Sequence, residues 1–471
     1  MTLTNPDVLV VEEEYTFPFK LHQYQLNTIG DAAKFEKGVL FPSKVGEGKS
    51  VMSLYLGLYH SIRSGVRQIL ILMPPSIIDQ WSDFIDEIKG IDEHLVYRGS
   101  PAQRKAMDLT AYPIVLMSYN IFRTDFNKVQ RMGQKNKLFV IGDELSLKSM
   151  GQTYKKFKQL IYGRLRIDPV TAQPLHKFCA LNATPVSDRG QVYLWTSIFD
   201  PWLYTSRAYF ELCHVDKKDN WGNVLKWINT DDMDDKFDEI CAISKNVDIE
   251  MPDTVFTEIP YTLEGEHKKL YDAIAAAEFE KLPVDAVGLM VESMFSTLQR
   301  VVLYPQEFGL DIVPPVVAVV KQLLGQMDEE DQVILYTRHV NVSKMLGDAF
   351  PAAVSYFGKI TKAKKKENLR RFKHGEAEIM VANLDSLGKG QNLQVANRTV
   401  FVELPFRSDV MTQACGRTAR QGQKKTCFFY IPIAKGTIQA QIYKNLLTND
   451  FDLRRFNRNK KTLKEFLFDN K

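Results

Sequence analysis

Short apolar segments that alternate with helix-like stretches constrain the fold of this chain most strongly. Alternation of this kind predicts a mainly parallel sheet with helices on both faces. The pattern occurs twice. The first series covers residues 68–73, 113–118, 138–142 and 177–182, and the second covers 332–337, 353–356, 378–382, 399–404 and 426–431. Because 471 residues are too many for one core, we predict two α/β domains.

The composition excludes several classes of protein. Apolar residues make up 45% of the chain and charged residues 25%, as in ordinary globular proteins. No apolar run reaches the ~20 residues that span a bilayer, and the acidic N-terminal stretch is unlike a signal peptide. The five cysteines form no C-x-x-C pair, which argues against structural zinc. We therefore expect a cytoplasmic protein, neither secreted nor bound to membranes.

The chain divides into four predicted regions. Residues 1–205 form a first lobe, 206–315 a helical and partly acidic region, 316–450 a second lobe, and 451–471 a basic tail. The tail has seven basic and three acidic residues, so its charge equals the net +4 of the whole chain. It is either an arm that binds phosphates or a solvated helix end.

A glycine-rich loop lies between an apolar segment and a helix-like run, and it reads Ser-Lys-Val-Gly-Glu-Gly-Lys-Ser over 43–50. Glycines let the backbone fold around a phosphate, and the N–H groups of the next helix point at that charge. Lys49 would contact the β- and γ-phosphates, and the Ser50 hydroxyl could hold Mg²⁺. Ser43 stands where such loops usually begin with glycine. The predicted nucleotide contacts are Val45, Gly46, Glu47, Gly48, Lys49 and Ser50.

Two carboxylates follow the apolar run 138–141. Asp143 and Glu144 lie where parallel strands end, and ligands of open α/β sheets bind at that edge. Asp143 could hold Mg²⁺ through water, and Glu144 could orient or deprotonate a water molecule that attacks a γ-phosphate. An Asp-Glu pair in a surface turn is the common alternative.

The second half carries an R-x-x-R pair within residues 413–423. On a helix this spacing would place Arg417 and Arg420 on one face, where both could reach a phosphate. Arginines of this kind stabilise the charge that builds on a transferred phosphoryl group.

In this order the motifs resemble helicase superfamily 2, and within it the Swi/Snf-type DNA translocases. The resemblance rests on residues 21–25, 46–50, 73–76, 80–81, 118–119, 143–146, 181–185, 388–393, 413–423 and 435–438, and covers roughly residues 20–445. It implies two RecA-like parallel-sheet lobes with a helical insertion between them, and ATP with Mg²⁺ as cofactors. It also implies that Gln25 pairs with adenine, that Gly390 contacts the nucleotide, and that Gln413 joins Lys49, Asp143, Glu144, Arg417 and Arg420 in catalysis.

The resemblance also implies contacts with the phosphate backbone of DNA, which hydroxyls, amides and lysines suit because they read no sequence. The residues implied are Ser76, Ser118, Lys148, Asn383, Ser386, Lys389 and Asn392. Several positions depart from the family pattern. These are Ser146 in place of histidine, Asn182 and Ala183 within 181–185 (motif III), Ser244-Lys245 in place of an arginine pair, and Lys389 within 388–393 (motif V).

We therefore expect a DNA-dependent ATPase that translocates on double-stranded DNA, remodelling DNA or displacing bound proteins in repair or recombination. A monomer is the expected state, and a phage or virus could use a motor of this size. Two alternatives remain at this point: a helicase or annealing enzyme for branched DNA or RNA, and a nucleic-acid-binding scaffold without catalysis. The intact set of Lys49, Glu144, Arg417 and Arg420 argues against the scaffold.

Overall fold

The computed structural model of the chain describes most of residues 6–447. The positions in this range that it leaves undescribed are 44–45, 146, 148, 165–167, 169, 184, 187–188, 219–223, 246, 248–249, 282–287, 329, 385 and 388–390. The predictions for Val45, Lys148, Lys389, Gly390 and the tail 451–471 lie outside the described residues.

The chain forms two compact units, Met1–Ile249 and Glu250–Lys471. This division differs from the sequence-based one, which set residues 206–315 apart as a helical region. In the structure, the segment before residue 250 packs with the first unit, where Leu40 and Cys241 form a parallel bridge. The segment after it contributes a strand to the second sheet. The region 206–315 is therefore divided between the units: its first part adds an isolated bridge beside Leu40, and its second part adds a strand to the second sheet.

The first unit contains a parallel sheet of six strands and a separate hairpin. The sheet strands are β1 (Gly38–Phe41), β2 (Gln68–Met73), β3 (His94–Tyr97), β4 (Ile114–Ser118), β5 (Leu138–Asp143) and β6 (Lys177–Leu181), and the hairpin strands are β7 (Val215–Lys218) and β8 (Val224–Trp227). The sheet order is β1-β6-β5-β2-β4-β3, and every pair in it is parallel. The central strands β2, β4 and β5 are buried along their whole length, as expected for a sheet covered on both faces.

Helices and short 3₁₀ turns connect these strands. The helices of the first unit are α1 (Val11–Glu14), α2 (Gln23–Ala33), α3 (Lys49–Arg63), α4 (Ile78–Asp86), α5 (Pro101–Ala106), α6 (Tyr119–Thr124), α7 (Phe126–Lys135), α8 (Gln152–Tyr162), α9 (Val192–Phe199), α10 (Arg207–His214) and α11 (Thr230–Asp238). Two hydrophobic clusters cover the sheet, one with Trp195 and Phe157 and the other with Tyr55 and Trp81. The acidic run 231–235 lies in α11.

The second unit is built around a further parallel sheet of six strands. These are β9 (Thr254–Tyr261), β10 (Val333–Thr337), β11 (Val354–Tyr356), β12 (Ile379–Asn383), β13 (Arg398–Phe401) and β14 (Cys427–Ala434), in the order β11-β12-β10-β13-β14-β9. The helices are α12 (Gly265–Lys281), α13 (Gly288–Leu303), α14 (Pro315–Leu324), α15 (Val340–Ala349), α16 (Lys362–Lys373), α17 (Ser408–Cys415) and α18 (Ile438–Leu447). One continuous hydrophobic cluster joins the sheet to these helices.

The prediction of an α/β fold with two parallel-sheet lobes is confirmed. All nine strand segments predicted from the sequence correspond to strands, with ends shifted by at most three residues. The sequence analysis missed β3, β9 and the hairpin β7–β8. β9 escaped notice because it is an edge strand whose residues are mostly exposed, so it lacks a continuous apolar run. None of the described helices is long and apolar enough to cross a bilayer.

Two buried histidines predict a loss of stability in acid. Burial lowers the pKa of both His60 and His176 to about 4, whereas histidine in an unfolded chain titrates near 6.5. Both rings are therefore neutral in the folded unit, and protonation favours unfolding. The stability that they contribute is complete above pH 6.5 and is lost as the pH falls towards 4, by about 3 kcal/mol per histidine.

We expect His60→Gln to flatten the decrease in unfolding free energy between pH 6.5 and 4. All five tryptophans lie in the first unit, so urea unfolding followed by tryptophan fluorescence measures that unit. The control is His374→Gln, since His374 is exposed. An unchanged pH dependence in His60→Gln would contradict the assignment.

Candidate nucleotide and nucleic-acid sites

The predicted phosphate loop connects β1 to α3, and its glycines have left-handed backbone angles. φ is 96° at Gly46 and 78° at Gly48, and α3 begins at Lys49 directly afterwards. Glycine adopts such angles without a steric cost, whereas other residues rarely do. The described part of the loop thus has the conformation that turns main-chain N–H groups towards an anion at a helix N-terminus.

Two side chains of α2 hold the loop from outside. The Tyr24 hydroxyl donates to the main-chain oxygen of Glu47 at 3.0 Å, and the Gln25 amide donates to the same oxygen at 3.2 Å. The Gln25 side-chain oxygen accepts from the main-chain N–H of His22 at 2.9 Å, which completes a capping box at the start of α2. Gln25 is 6% exposed. In this structure the residue predicted to pair with adenine therefore anchors the loop, and its role towards adenine stays a prediction.

Gly48→Ala is expected to abolish ATP turnover. A Cβ atom at Gly48 would lie 2.2 Å from the Gln25 amide nitrogen, in addition to the strain at φ 78°. The matched control is Gly65→Ala in the same unit, where φ is 66° and nothing lies within 4 Å of the added atom. Both variants should lose about 1–2 kcal/mol of stability from backbone strain, but only Gly48→Ala should lose nucleotide binding and hydrolysis. Normal turnover in Gly48→Ala would contradict this assignment of the loop.

Lys49 and Asp143 lie close enough to interact electrostatically. The Lys49 ammonium donates to the main-chain oxygen of Ser43 at 2.7 Å, so the side chain folds back over its own loop. Asp143 is the last residue of β5, is 6% exposed, and accepts a hydrogen bond from the Trp81 indole at 2.7 Å. Burial raises the pKa of the Asp143 carboxyl to about 6, although the Trp81 bond and the Lys49 charge oppose the rise.

The backbone after Asp143 is held in an unusual conformation. Glu144 has φ 51°, a region that residues other than glycine rarely occupy and that is enriched at functional sites. The Tyr119 hydroxyl donates to the main-chain oxygen of Asp143 at 2.9 Å, and the Asn182 amide donates to that of Leu145 at 2.7 Å. The segment that follows β5 is thus hydrogen-bonded to the segment that follows β6, at the carboxyl ends of both strands. Asn182, a departure from the family pattern, supplies the link.

The donors present suit a magnesium ion that is shared with a nucleotide. Among the described residues no group of three or more His, Cys, Asp or Glu could hold a metal ion without other ligands. Mg²⁺ commonly uses one or two protein oxygens and takes its remaining ligands from phosphates and water. One hydroxyl, from Ser50, and one buried carboxylate, from Asp143, fit that requirement.

The arginine pair lies beyond α17. This helix ends at Cys415, and the chain continues through a turn at Arg417 and a bend at Arg420, so the helical arrangement considered for the pair does not occur. Gly416 follows the last helical residue, as is common at helix C-termini. The pair is still close in space, since burial and then the Arg417 charge lower the pKa of Arg420. Gln413 lies on α17 and is partly exposed.

The Arg417 side chain contains a buried hydrogen-bond donor. The residue is 8% exposed, and its Nη1 atom has no hydrogen-bond partner among the described residues. Buried guanidinium donors are nearly always paired in folded proteins. This donor is therefore suited to an anionic ligand such as a phosphate.

The residues predicted to contact DNA differ in accessibility. In the first unit Ser76 follows β2 and is exposed. Ser118 is 4% exposed, and its hydroxyl accepts from the main-chain N–H of Ile121 at 3.3 Å, so it caps α6.

In the second unit the predicted DNA contacts are partly used within the protein. Asn383 ends β12 and is 4% exposed. Its side-chain oxygen accepts from the main-chain N–H of Ser386 at 3.2 Å. Ser386 and Asn392 are partly exposed, and Asn392 accepts from the main-chain N–H of Gln394 at 3.4 Å.

Three side chains form hydrogen bonds at the candidate site, although the sequence analysis assigned no role to them. Trp81 bonds the Asp143 carboxyl, Tyr119 bonds its main-chain oxygen, and Tyr24 bonds the phosphate loop. All three fall within motifs that carried the family resemblance. Their presence was visible in the sequence, but the atoms that they contact follow from the tertiary structure.

Comparison with known proteins finds similarity to helicases. Residues 315–422 match the family described as the helicase conserved C-terminal domain. An uncharacterized ATP-dependent helicase of Mycoplasma genitalium is 23% identical over 468 residues, covering 92% of this chain and 43% of that protein. An uncharacterized ATP-dependent helicase of Bacillus subtilis is 21% identical, covering 88% of this chain and 75% of that protein. The chain thus spans less than half the length of the Mycoplasma relative.

A shorter match and a solved structure complete the comparison. The DNA repair and recombination protein RAD54 of Saccharomyces cerevisiae is 31% identical over 122 residues, covering 25% of this chain and 14% of that protein. The SWI2/SNF2 ATPase core of Sulfolobus solfataricus, solved with double-stranded DNA, is 18% identical with a TM-score of 0.43, covering 94% of this chain and 93% of that one.

Residues 315–422 thus match a helicase C-terminal domain, and two relatives that cover most of this chain are named ATP-dependent helicases.

Proposed function

We propose that this chain is an ATP-dependent motor that binds the phosphate backbone of DNA and translocates on the double-stranded form. The observation that supports hydrolysis most directly is the phosphate loop beside a buried carboxylate. Gly46 and Gly48 have left-handed angles, Lys49 follows at the start of α3, and its charge acts on Asp143. A loop of this kind binds the phosphates of a nucleotide.

Each site residue then has a chemical role. Lys49 would leave its bond with the Ser43 oxygen to bind the β- and γ-phosphates. Glu144, held at φ 51°, would orient the attacking water molecule and accept its proton. Arg417 and Arg420 would stabilise the charge that develops on the γ-phosphate oxygens.

Ser50 and Asp143 would hold Mg²⁺, which neutralises phosphate charge when bound. The Trp81 hydrogen bond fixes the orientation of the Asp143 carboxyl. Bound Mg²⁺ would favour the ionised form of this carboxyl, whose pKa burial raises to about 6.

DNA binding is inferred from the resemblance to Swi/Snf-type DNA translocases and from the names of similar proteins. RAD54 is named a DNA repair and recombination protein, and the Sulfolobus core was solved with double-stranded DNA. We propose that this chain likewise acts on duplex DNA, where movement would remodel the DNA or displace bound proteins. Contacts with the phosphate backbone would be independent of sequence and would weaken steeply with salt.

The test is ATP hydrolysis at fixed salt without nucleic acid and with single-stranded DNA, double-stranded DNA, branched DNA or RNA. Strong stimulation by plain duplex DNA supports the translocase. Stimulation only by branched DNA, single strands or RNA would replace it with a helicase or annealing enzyme. Absence of turnover with every substrate would favour a nucleic-acid-binding scaffold.

A further inference from the structure

We propose that Arg338 is a further residue that binds a backbone phosphate of DNA, presented on the ring of Phe406. This inference rests on the proposed binding of duplex DNA, and it adds a contact that neither the motifs nor the comparisons assign. Two observations support it: the contacts of the Arg338 guanidinium, and the hydrogen bonds that the neighbouring Asn383 side chain forms with other groups of the protein.

Arg338 lies at the edge of the second sheet where ligands of parallel sheets bind. It directly follows β10, whose last residue, Thr337, is paired with Asn383 at the end of β12. The carboxyl ends of both strands thus meet beside the segment that contains Ser386, one of the predicted DNA contacts. A side chain at this edge lies where ligands of open α/β sheets are bound.

The guanidinium of Arg338 is placed by an aromatic ring and an amide. Its central carbon lies 4.0 Å from the centre of the Phe406 ring, and Nη1 donates to the Gln299 side-chain oxygen at a long 3.5 Å. Gln299 is fully buried, and its amide nitrogen donates to the main-chain oxygen of Leu404 at 3.0 Å, which fixes its orientation. Arg338 itself is partly exposed.

The carboxylate of Glu403 lies close to Arg338, but it bonds main-chain N–H groups there and not the guanidinium. It accepts hydrogen bonds from the main-chain N–H groups of Arg338 at 2.7 Å and His339 at 2.9 Å, and it pairs with the His339 ring. Among the described residues no carboxylate forms an ion pair with the Arg338 guanidinium. Glu403 therefore fixes the peptide that carries Arg338 and leaves the guanidinium charge without an ionic partner there.

Asn383 also positions Arg338. Its amide nitrogen donates to the main-chain oxygen of Arg338, and its side-chain oxygen accepts from Ser386. Because Asn383 is 4% exposed and both polar atoms are engaged, it serves better as a positioning residue than as a phosphate contact. Arg338, whose backbone it holds, provides the accessible charge at this place.

A guanidinium that lies over an aromatic ring is suited to bind phosphate. The ring attracts the cation, and guanidinium N–H donors can form two parallel bonds to phosphate oxygens. The side chain is already ordered, so less conformational entropy is lost on binding. Among the described residues the guanidinium has one side-chain hydrogen bond, the long one to Gln299, which leaves most of its donors for a ligand.

The same unit offers a matched control in Arg300. Arg300 also lies near an aromatic ring, 5.8 Å from the centre of Phe308, but its guanidinium forms an ion pair with Glu307. Arg300→Gln removes the same charge as Arg338→Gln. The two variants therefore differ in the position and pairing of the lost charge.

The experiment measures binding of the full chain to a fluorescent duplex over a series of salt concentrations. Arg338→Gln should weaken binding about tenfold and reduce the slope of log K against log salt by about one, while Arg300→Gln stays near the wild type. Arg338→Lys should keep the salt slope but lose part of the affinity, because lysine keeps the charge without the planar donors. Thermal unfolding checks that each variant is folded.

The two proposals fail in different ways. If the wild type does not bind duplex DNA at any salt concentration, the proposed function is overturned. If the wild type binds and Arg338→Gln equals Arg300→Gln, the role of Arg338 is overturned and DNA binding stands. If Arg338→Gln does not fold, Arg338→Lys provides the test. Unchanged affinity in Arg338→Lys would overturn the role of Arg338, and weaker affinity with an unchanged salt slope would support that role.

Discussion

Lys49→Ala is expected to reduce ATP hydrolysis by at least about 100-fold while the chain stays folded, which is the loss typical of removing one charged group that stabilises a transition state. The Lys49 side chain donates to the main-chain oxygen of Ser43 and is only partly buried, so alanine removes little packing. Without its charge the β- and γ-phosphates lose a cationic partner. Steady-state hydrolysis and nucleotide binding measure the effect.

Lys34→Ala is the matched control, because Lys34 is an exposed lysine in the same unit that pairs with Asp31 on the surface. It removes the same charge and should leave turnover unchanged. Equal and normal turnover in both variants would refute the assignment of the phosphate loop. An equal loss in both would point to a general effect of charge.

Arg420→Ala is expected to lower kcat by about 1,000-fold, in the range measured for arginines that act on a transferred phosphoryl group. The affinity for ATP should change far less, because this contact strengthens as charge develops on the γ-phosphate. Burial and the nearby Arg417 charge lower the pKa of Arg420, so the site already carries the cost of two adjacent cations. Binding an anion would relieve that repulsion.

The control for Arg420 is Arg370→Ala. Arg370 lies on α16 in the same unit, is exposed, and pairs with Glu367 and Glu376 on the surface. It should hydrolyse ATP at the wild-type rate. An effect of Arg420→Ala on KM alone, with kcat unchanged, would remove Arg420 from the catalytic role.

The fold was predictable because its strands are buried on both faces. A strand such as β2 must be apolar along its length to lie at the centre of a parallel sheet, and such runs are visible in the sequence. β9 was not predictable in this way, since an edge strand with exposed residues carries no such run. The boundary between the units lies between residues 249 and 250, inside the region 206–315 that the sequence analysis set apart.

The residues of the candidate site were visible in the sequence, whereas their contacts within the protein were not. Gly46, Gly48 and Lys49 are recognisable because only certain residue types can form a phosphate loop. The roles of Gln25 and Asn383 within the protein follow from hydrogen bonds to groups distant in the chain, such as the Glu47 and Arg338 oxygens. Hydrogen bonds between residues far apart in the chain produce no periodic pattern in the sequence.

The sequence by itself determined the fold class and the backbone freedom of the glycine-rich loop, since burial pattern and backbone freedom depend on residue type and spacing. The tertiary structure alone decided which partner each polar atom takes. It ended α17 before Arg417, joined Trp81 to Asp143, and placed Arg338 on Phe406. These contacts depend on how strands and helices from distant parts of the chain pack, and packing is a property of the whole fold.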